Sequence, residues 1–394
     1  MLKLLTNAKC WLYCLHLKRP GNQYMQDCQR TDALACFVCP LMTLILFRPS
    51  MNLLRRFALI LCSVLTLGCS QRNRQVDYRE LPVNEACILR ENIEQVVKIV
   101  SFCIIDHERF AISTAEGKII VYDHEGNQLS VISRRGRGPF EYVEPTIIRA
   151  ADDNRLIVWC AYLAKFLAYS LQDGSPLFEQ SYPFSVRDFV PIDDNIVYAY
   201  SGNENVGMVF TYDLSSGEIL EKGGEWTVPH SLMMMIDGRC PMAAWQGKLY
   251  YMPVSELNIY QLGENQDNPV AKIPSGSFHV DNTAPSSLVD DVDRRIEYVI
   301  ANPRVLLLDV SDEDYYVVAL EVKGEQASSK DVKRHNVVYC YDRNSNKLRG
   351  SACFPARSPG LIDLYEHKVY YLIERRDETK NAFQHEMIVV IPDL

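Results

Sequence analysis

The chain has 394 residues, of which 47% are hydrophobic and 23% charged, with 22 tyrosines and a formal net charge of −9. This composition is typical of a globular protein rich in β-strands and argues against extensive disorder. Residues 1–68 contain eight Lys and Arg against Asp27 and Asp32, so their charge is +6 and that of the remaining chain is −15. Such an acidic body repels phosphate, so we expect no nucleic-acid partner.

Residues 1–50 differ from the rest of the chain in charge and cysteine content. A signal-like sequence begins after them, at Met51, and a signal peptide normally begins its own chain. We therefore expect translation to start at Met51 and residues 1–50 to be an upstream artefact or a disordered extension. A transmembrane hairpin is the alternative. Cys36 and Cys39 form a CxxC motif, which is a weak metal signal because no second pair lies nearby.

Residues 51–68 have the order of a secretory signal peptide: Arg55 and Arg56, an apolar run, and Gly68 before Cys69. The apolar run is too short to span a bilayer as a helix. The sequence LTLGC resembles a bacterial lipobox, in which the cysteine is acylated, and an ordinary cleaved signal is the alternative. We expect a lipid anchor on Cys69 as the only membrane contact, residues 69–80 as a linker, and a location in the cell envelope, at the outer membrane facing the periplasm.

From about residue 100 the chain repeats one unit six times: a strand, a short polar turn, and a second strand that often ends in an aromatic residue and Asp. The spacing of about 40 to 67 residues is typical of propeller blades, each a four-stranded sheet. The sequence therefore predicts an all-β fold, a six-bladed β-propeller, over residues 81–394. The gap at 286–303 predicts a short helix or an outer strand. The units begin at Arg109, Arg155, Asn195, Lys248, Tyr315 and Lys368.

The polar residues of the repeats are better explained as turn residues than as catalytic or ligand-binding residues. Asp152-Asp153 and Asp193-Asp194 each precede Asn and a strand, a position that suits turn capping by the carboxylate. Several cysteines lie inside apolar runs, where the thiol behaves as a small hydrophobic group. We expect most of them to be free and buried, namely Cys87, Cys103, Cys160, Cys240, Cys340 and Cys353.

The stretch RRGRGPFEY, residues 134–142, interrupts the strands with two glycines and a proline. We interpret it as a rigid corner between the first two blades, with positive φ at Gly136 and Gly138, since glycine tolerates that conformation. Pro139 fixes its own φ. Glu141 is expected to accept backbone N–H groups and Tyr142 to pack between blades. The alternative is an anion nest formed with Arg134, Arg135 and Arg137, of which Arg135 and Arg137 are the expected ligand-binding residues.

The heptad that runs from Gly136 to Tyr142 resembles the G-x-G-P-G-E-Y signature of exported six-bladed β-propellers of Bacteroidales, which are often lipoproteins and share their fold with NHL-like and TolB-like propellers. Phe140 stands where that signature has its third glycine. The resemblance implies a propeller fold and an envelope location. It implies no particular activity.

The segment 225–245 contains two tryptophans and four methionines between the third and fourth units. Such side chains can form an adaptable ligand platform over a channel mouth, and a packed corner with an outer strand is the alternative. The ligand-binding residues of this interpretation are Trp226, His230, Arg239 and Trp245.

No sequence motif for a nucleophile, a zinc protease or an EF-hand is present, and the histidines are scattered among the units. The sequence thus favours a binding or scaffold protein without catalytic residues or cofactor, whose partner is an envelope protein, a peptide or a glycan. The alternative is a lactonase-like or lyase-like enzyme that holds calcium in the central channel. That enzyme requires at least three carboxylate, Asn or His side chains around one point.

Overall fold

The computed structural model describes residues 85–88 and 98–390, except 153, 194, 235–239, 264–267, 276, 324–332, 356–360 and 378–381. These residues form six antiparallel sheets of four strands each, all within one compact unit, Gln75–Leu394. The predicted fold, a six-bladed β-propeller, is confirmed.

The first three blades are continuous in sequence, and each pairs its four strands in chain order. Blade 1 consists of β2 Ile99–Ile104, β3 Arg109–Thr114, β4 Ile119–Asp123 and β5 Gln128–Ile132. Blade 2 consists of β6 Ile147–Asp152, β7 Arg155–Cys160, β8 Lys165–Ser170 and β9 Pro176–Ser181. Blade 3 consists of β10 Val186–Pro191, β11 Ile196–Ser201, β12 Val209–Asp213 and β13 Glu218–Gly223, with a 3₁₀ turn at Glu204–Val206.

Blades 4 and 5 follow the same order, whereas blade 6 takes its outermost strand from the N-terminal side of the chain, β1 Glu85–Ile88. Blade 4 consists of β14 Met242–Trp245, β15 Lys248–Tyr251, β16 Asn258–Gln261 and β17 Ala271–Lys272. Blade 5 consists of β18 Arg304–Val310, β19 Asp314–Lys323, β20 Lys333–Asp342 and β21 Lys347–Pro355. Blade 6 adds β22 Leu361–Tyr365, β23 Lys368–Asp377 and β24 Ala382–Val390.

Helices occur in the connections that precede the first strands of two blades. Helix α1, Val228–Met233, lies between blades 3 and 4 and is capped by Thr227, whose side chain accepts the His230 N–H. Helix α2, Val292–Ala301, lies between blades 4 and 5 after a 3₁₀ turn at Ser286–Val289. Of the short helix or outer strand expected within 286–303, the structure has the helix.

The six repeated units are the second and third strands of the six blades. These strands are almost continuously buried, for example RLIVWC in β7, because both faces of each blade pack against neighbouring blades. The outermost strands are more exposed, as in β13. Hydrophobic clusters fill all six seams between blades, including the seam of blades 6 and 1, where Phe110 and Tyr370 share a cluster.

Acidic residues cap the turns, as the sequence indicated. Asp193 Oδ1 accepts the N–H groups of Asn195 and Ile196, both at 2.8 Å, and Asp152 Oδ1 accepts that of Asn154 at 2.8 Å. The Asp that ends a third strand does the same in the following turn: Asp342 Oδ1 accepts from Ser345 N–H at 2.7 Å, which lowers the pKa of this carboxyl to about 2.

Five cysteines with described side chains are buried thiols rather than disulfides, as predicted: Cys103, Cys160, Cys240, Cys340 and Cys353. Within the described residues, no helix has the length and apolar character needed to cross a membrane.

Candidate functional site

The first strands of the six blades converge on a central channel. Neighbouring first strands contact one another around the whole ring, including β22 with β2. They enclose a cavity of about 240 Å³, which is smaller than the roughly 300–1,000 Å³ usual for ligand pockets. The charged side chains among its described lining residues are Arg149, Asp188, Asp309 and Asp363.

Arg149 and Asp188 form a buried ion pair between blades 2 and 3. Arg149 Nη1 also donates to the Ile148 carbonyl at 2.6 Å. The second carboxylate oxygen of Asp188 accepts the Cys240 N–H at 3.1 Å, at the entrance to blade 4. A buried charge pair is tolerated when its remaining hydrogen-bonding capacity is used, and these backbone contacts use it. Three consecutive blades are thereby joined.

Asp309 and Asp363 make the corresponding contacts on the other side of the channel. Asp309 Oδ2 lies 3.0 Å from Nδ1 of His367, between blades 5 and 6. Asp363 Oδ2 accepts the Ile104 N–H at 2.9 Å, between blades 6 and 1. Each of these carboxylates also accepts the N–H of the residue that follows it, at 2.8 and 2.9 Å. The channel carboxylates therefore reach the next blade around the ring.

The two-residue turn between β22 and β23 presents Glu366 and His367 beside the channel. Both have positive φ, 46° and 64°, a region that residues other than glycine seldom adopt. The same turn in blade 4 is Gln246-Gly247. His367 stacks on Tyr316 with ring centroids 4.0 Å apart, and its hydrogen bond with Asp309 raises its pKa against the opposing effect of burial. Glu366 pairs with His107 of blade 1 at 3.0 Å.

The channel does not gather a metal site from the residues that the structure describes: no three His, Cys, Asp or Glu side chains there are grouped so that they could hold an ion. Each channel carboxylate is bonded to a neighbouring blade.

The RRGRGPFEY loop lies in the seam between blades 1 and 2. Tyr142 is fully buried among residues of both blades, and its hydroxyl donates to the Ile132 carbonyl at 2.9 Å. Glu141 Oε2 accepts the Gly138 N–H at 2.7 Å. Lys165, buried in blade 2, donates to the Gly138 carbonyl at 3.3 Å and pairs with Glu179 at 3.0 Å. Arg135 and Arg137 are exposed, and Pro139 is exposed as well.

The expected positive φ at Gly136 and Gly138 is wrong, because the residue of this loop with positive φ is Phe140, at 55°. The glycines are required for space. A Cβ at Gly136 would lie 1.9 Å from Glu141 Oε2, and one at Gly138 would lie 3.0 Å from the same atom. The loop thus holds its own carboxylate where an anion nest would hold an external anion.

The packed-corner alternative placed an outer strand in the segment 225–245. The described part of this segment instead forms helix α1 and, at its C-terminal end, β14. Met233 and Met234 are buried in the core, and His230 is 0% exposed, so these side chains do not form an exposed platform. Trp226 and Trp245 are half-buried in different surroundings: Trp226 contacts His230, whereas Trp245 packs on the cluster of blades 4 and 5. Arg239 lies outside the described residues.

His230 is held as a neutral imidazole. Its Nδ1 accepts the Val254 N–H at 3.3 Å, so the proton is on Nε2, and burial lowers the pKa of His230 to about 3. Nε2 and the Nε1 of Trp226 are both buried and have no hydrogen-bond partner among the described residues. The ring stacks on Tyr200 at 5.7 Å.

Sequence reasoning missed Arg149, Asp188, Asp309 and Asp363 as a set. Each lies within a different short first strand, and the sequence carries no signal that these strands meet. His107 and His367 were noted only as scattered histidines. Cys69 lies outside the described residues, and its acylation remains a prediction.

The chain is similar to solved structures to different degrees. A "putative exported protein" from Bacteroides fragilis is 12% identical, with a TM-score of 0.53 over 80% of this chain and 99% of that one. The Cps50 (Swd1) β-propeller domain of Myceliophteria thermophila is 12% identical, with a TM-score of 0.40 over 77% and 100% of the two chains. BamB from Moraxella catarrhalis is 10% identical, with a TM-score of 0.34 over 73% and 85%.

No curated protein matches the chain. Residues 90–287, about half of the chain, match the family DUF5128, described as "6-bladed beta-propeller". This stretch runs through blades 1 to 4 and into the connection to blade 5. The chain therefore belongs to the 6-bladed beta-propeller family DUF5128.

Proposed function

We propose that this protein is a binding or scaffold module of the cell envelope that uses the propeller as a rigid platform. The supporting observation is the use of the channel carboxylates. Asp188, Asp309 and Asp363 line one cavity, and each is bonded to an adjacent blade. Catalytic carboxylates have to converge on substrate or metal, whereas side chains that join blades stabilise a scaffold.

The proposed location is the outer membrane facing the periplasm, with a lipid on Cys69. The order of charged, apolar and small residues before Cys69 supports it. The resemblance of residues 136–142 to the signature of exported Bacteroidales lipoproteins supports it as well. The partner is an envelope protein, a peptide or a glycan.

A test of binding against catalysis compares the purified protein with and without calcium on a panel of lactones and aryl esters. We expect no calcium-dependent hydrolysis and no calcium-dependent change in Tm. The variants Asp309→Asn and Asp363→Asn serve as controls on the channel. Calcium-dependent turnover that both substitutions abolish would establish the enzyme alternative instead.

The anchor is tested separately by fractionation of cells. Cys69→Ser should move the protein from the membrane to the soluble fraction, whereas Cys62→Ser, in the same apolar signal, should leave it at the membrane. Mass spectrometry should identify an acylated N-terminal Cys69. An abundant mature peptide that spans Leu67 to Arg72 would contradict the proposal.

A further inference from the structure

A second cavity, of about 340 Å³, lies beside blade 4 at the connection to blade 5. Its volume falls within the range usual for ligand pockets. One side is formed by Ser255 and Glu256 of the connection between β15 and β16 and by Asn258, the first residue of β16. The other side is the segment after β17, with Phe278 and Asn282.

The segment after β17 is fixed at its beginning by a buried acid. Ser275 Oγ donates to Glu321 Oε1 at 3.2 Å and lies 3.0 Å from the Tyr339 hydroxyl oxygen. Glu321 is fully buried, and Tyr339 also donates to it. Ser275 further accepts the N–H of Phe278 at 3.1 Å, which directly orients the backbone that carries the Phe278 ring.

The same segment is fixed farther along by helix α2. The Asp281 N–H donates to Oδ1 of the buried Asn302 at 2.8 Å, and the Tyr298 hydroxyl donates to the Asp281 carbonyl at 2.7 Å. The wall of the cavity is therefore held between two anchors on different elements. A wall fixed before binding reduces the entropy that a ligand has to lose on association.

The polar groups of the cavity are of mixed type. Asn258 Nδ2 and the Tyr260 hydroxyl both donate to Oε2 of Glu256, at 2.7 and 3.5 Å, which leaves Oε1 able to accept from a ligand. The Ser255 hydroxyl and the Asn258 amide supply both donors and acceptors. The half-buried Phe278 ring supplies an apolar face.

We propose that this cavity binds the ring of a neutral saccharide. A sugar ring offers several hydroxyl groups that both donate and accept, and an apolar face of C–H groups that packs on an aromatic ring. The Glu256 carboxylate accepts strongly from hydroxyls and disfavours anionic ligands, and the other titratable side chain of the lining, His279, is exposed to solvent. A small amine would use the carboxylate but leave the amide and hydroxyl groups without a function. The inference rests on the proposed binding function and specifies its ligand class.

The experiment measures saturation-transfer NMR of the full mature protein with the methyl glycosides of glucose, galactose, mannose and N-acetylglucosamine. At least one glycoside should bind, and Glu256→Gln should weaken its binding about tenfold. Phe278→Leu, which keeps an apolar side chain against the core, should also weaken it. The control is Glu116→Gln, an exposed carboxylate in the equivalent connection of blade 1.

Two results would overturn the inference. Absence of binding by all four glycosides to folded wild-type protein rejects the saccharide site. Binding of 1,5-diaminopentane that Glu256→Gln abolishes, without glycoside binding, would assign the cavity to amines, and the proposed binding function would then stand with another ligand class. Glycoside binding that is equally strong in Glu256→Gln and Phe278→Leu would place the ligand elsewhere and also reject the proposal.

Discussion

Phe140 occupies a backbone conformation that costs a residue with a Cβ about 1–2 kcal/mol. Its φ is 55°, its N–H donates to Glu179, and its carbonyl accepts the Tyr169 hydroxyl at 2.8 Å. The surrounding hydrogen bonds therefore impose the conformation on the residue. The similar family signature has glycine at this position, which requires no such cost.

Phe140→Gly should consequently be more stable than Phe140→Ala by about 1 kcal/mol in free energy of unfolding. Both variants remove the ring, which is 37% exposed, so their difference isolates the backbone term. Chemical denaturation of the two proteins measures it. Equal stability, or a more stable alanine variant, would show that φ at this residue is not strained.

His230 makes stability depend on pH in the acid range. Its folded pKa of about 3 lies below its unfolded value, so the unfolded chain binds the additional proton. The contribution of His230 to the free energy of unfolding is fully present above about pH 6.5. It should fall by about 1.4 kcal/mol per pH unit as pH decreases toward the folded pKa. His230→Asn retains an acceptor for Val254 N–H and removes the titration.

The measurement is the free energy of unfolding of wild type and His230→Asn from pH 7 to pH 4. The difference between them should change in favour of the variant as pH falls. Parallel curves would mean that the imidazole is protonated in the folded state or accessible to solvent. The isolated histidine in the sequence gave no indication of this burial, because its surroundings come from blade 3, α1 and the β15–β16 connection.

Among the elements, the second and third strands of each blade were predictable because they are short, apolar and joined by polar turns. The first strands were not. These strands contain Arg149, Asp188, Asp309 and Asp363. Four of the six first strands also have an irregular register against the second strand of their blade, as between Val186 and Asp188. A charge and a bulge interrupt the alternation on which a strand prediction depends.

In the turn Glu366-His367, both residues have positive φ, and the turn places His367 in contact with Asp309. His367 has a raised pKa, so its ion pair with Asp309 stabilises the fold most below the unfolded pKa of about 6.5 and loses this effect as pH rises through the folded pKa. We expect His367→Asn, which tolerates positive φ, to lower Tm more at pH 6 than at pH 9.

Asp309→Asn provides the control, since it should reduce the same pH dependence without altering the turn. Thermal unfolding of both variants and of wild type at the two pH values measures the effect. An equal Tm difference at pH 6 and pH 9 would show that the pair does not contribute through the charge of His367.

At the scale of the molecule, the channel exists only because the ring closes. Asp363 and Ile104 are 259 positions apart in sequence, yet they share a hydrogen bond. Turn chemistry and apolar alternation are local, so they predicted the blades and their number. The contacts between blades around the channel depend on which strand ends face the axis. The cavity beside blade 4 depends on how the long connection after β17 folds back. Local sequence patterns determine neither of these.

Closure depends on β1, which pairs with β24 in antiparallel register from Glu85 opposite Val389 to Ile88 opposite Glu386. A pairing of this length holds about four backbone hydrogen bonds, and at roughly 0.5–1.5 kcal/mol each its loss should cost about 2–5 kcal/mol. A chain that begins at residue 89 should therefore have a lower Tm than one that begins at residue 76. It should also associate in sedimentation experiments, because β24 becomes an unpaired edge. Equal Tm and a monomeric state for both chains would mean that the seam between blades 6 and 1, with Phe110 and Tyr370, closes the ring without the strand.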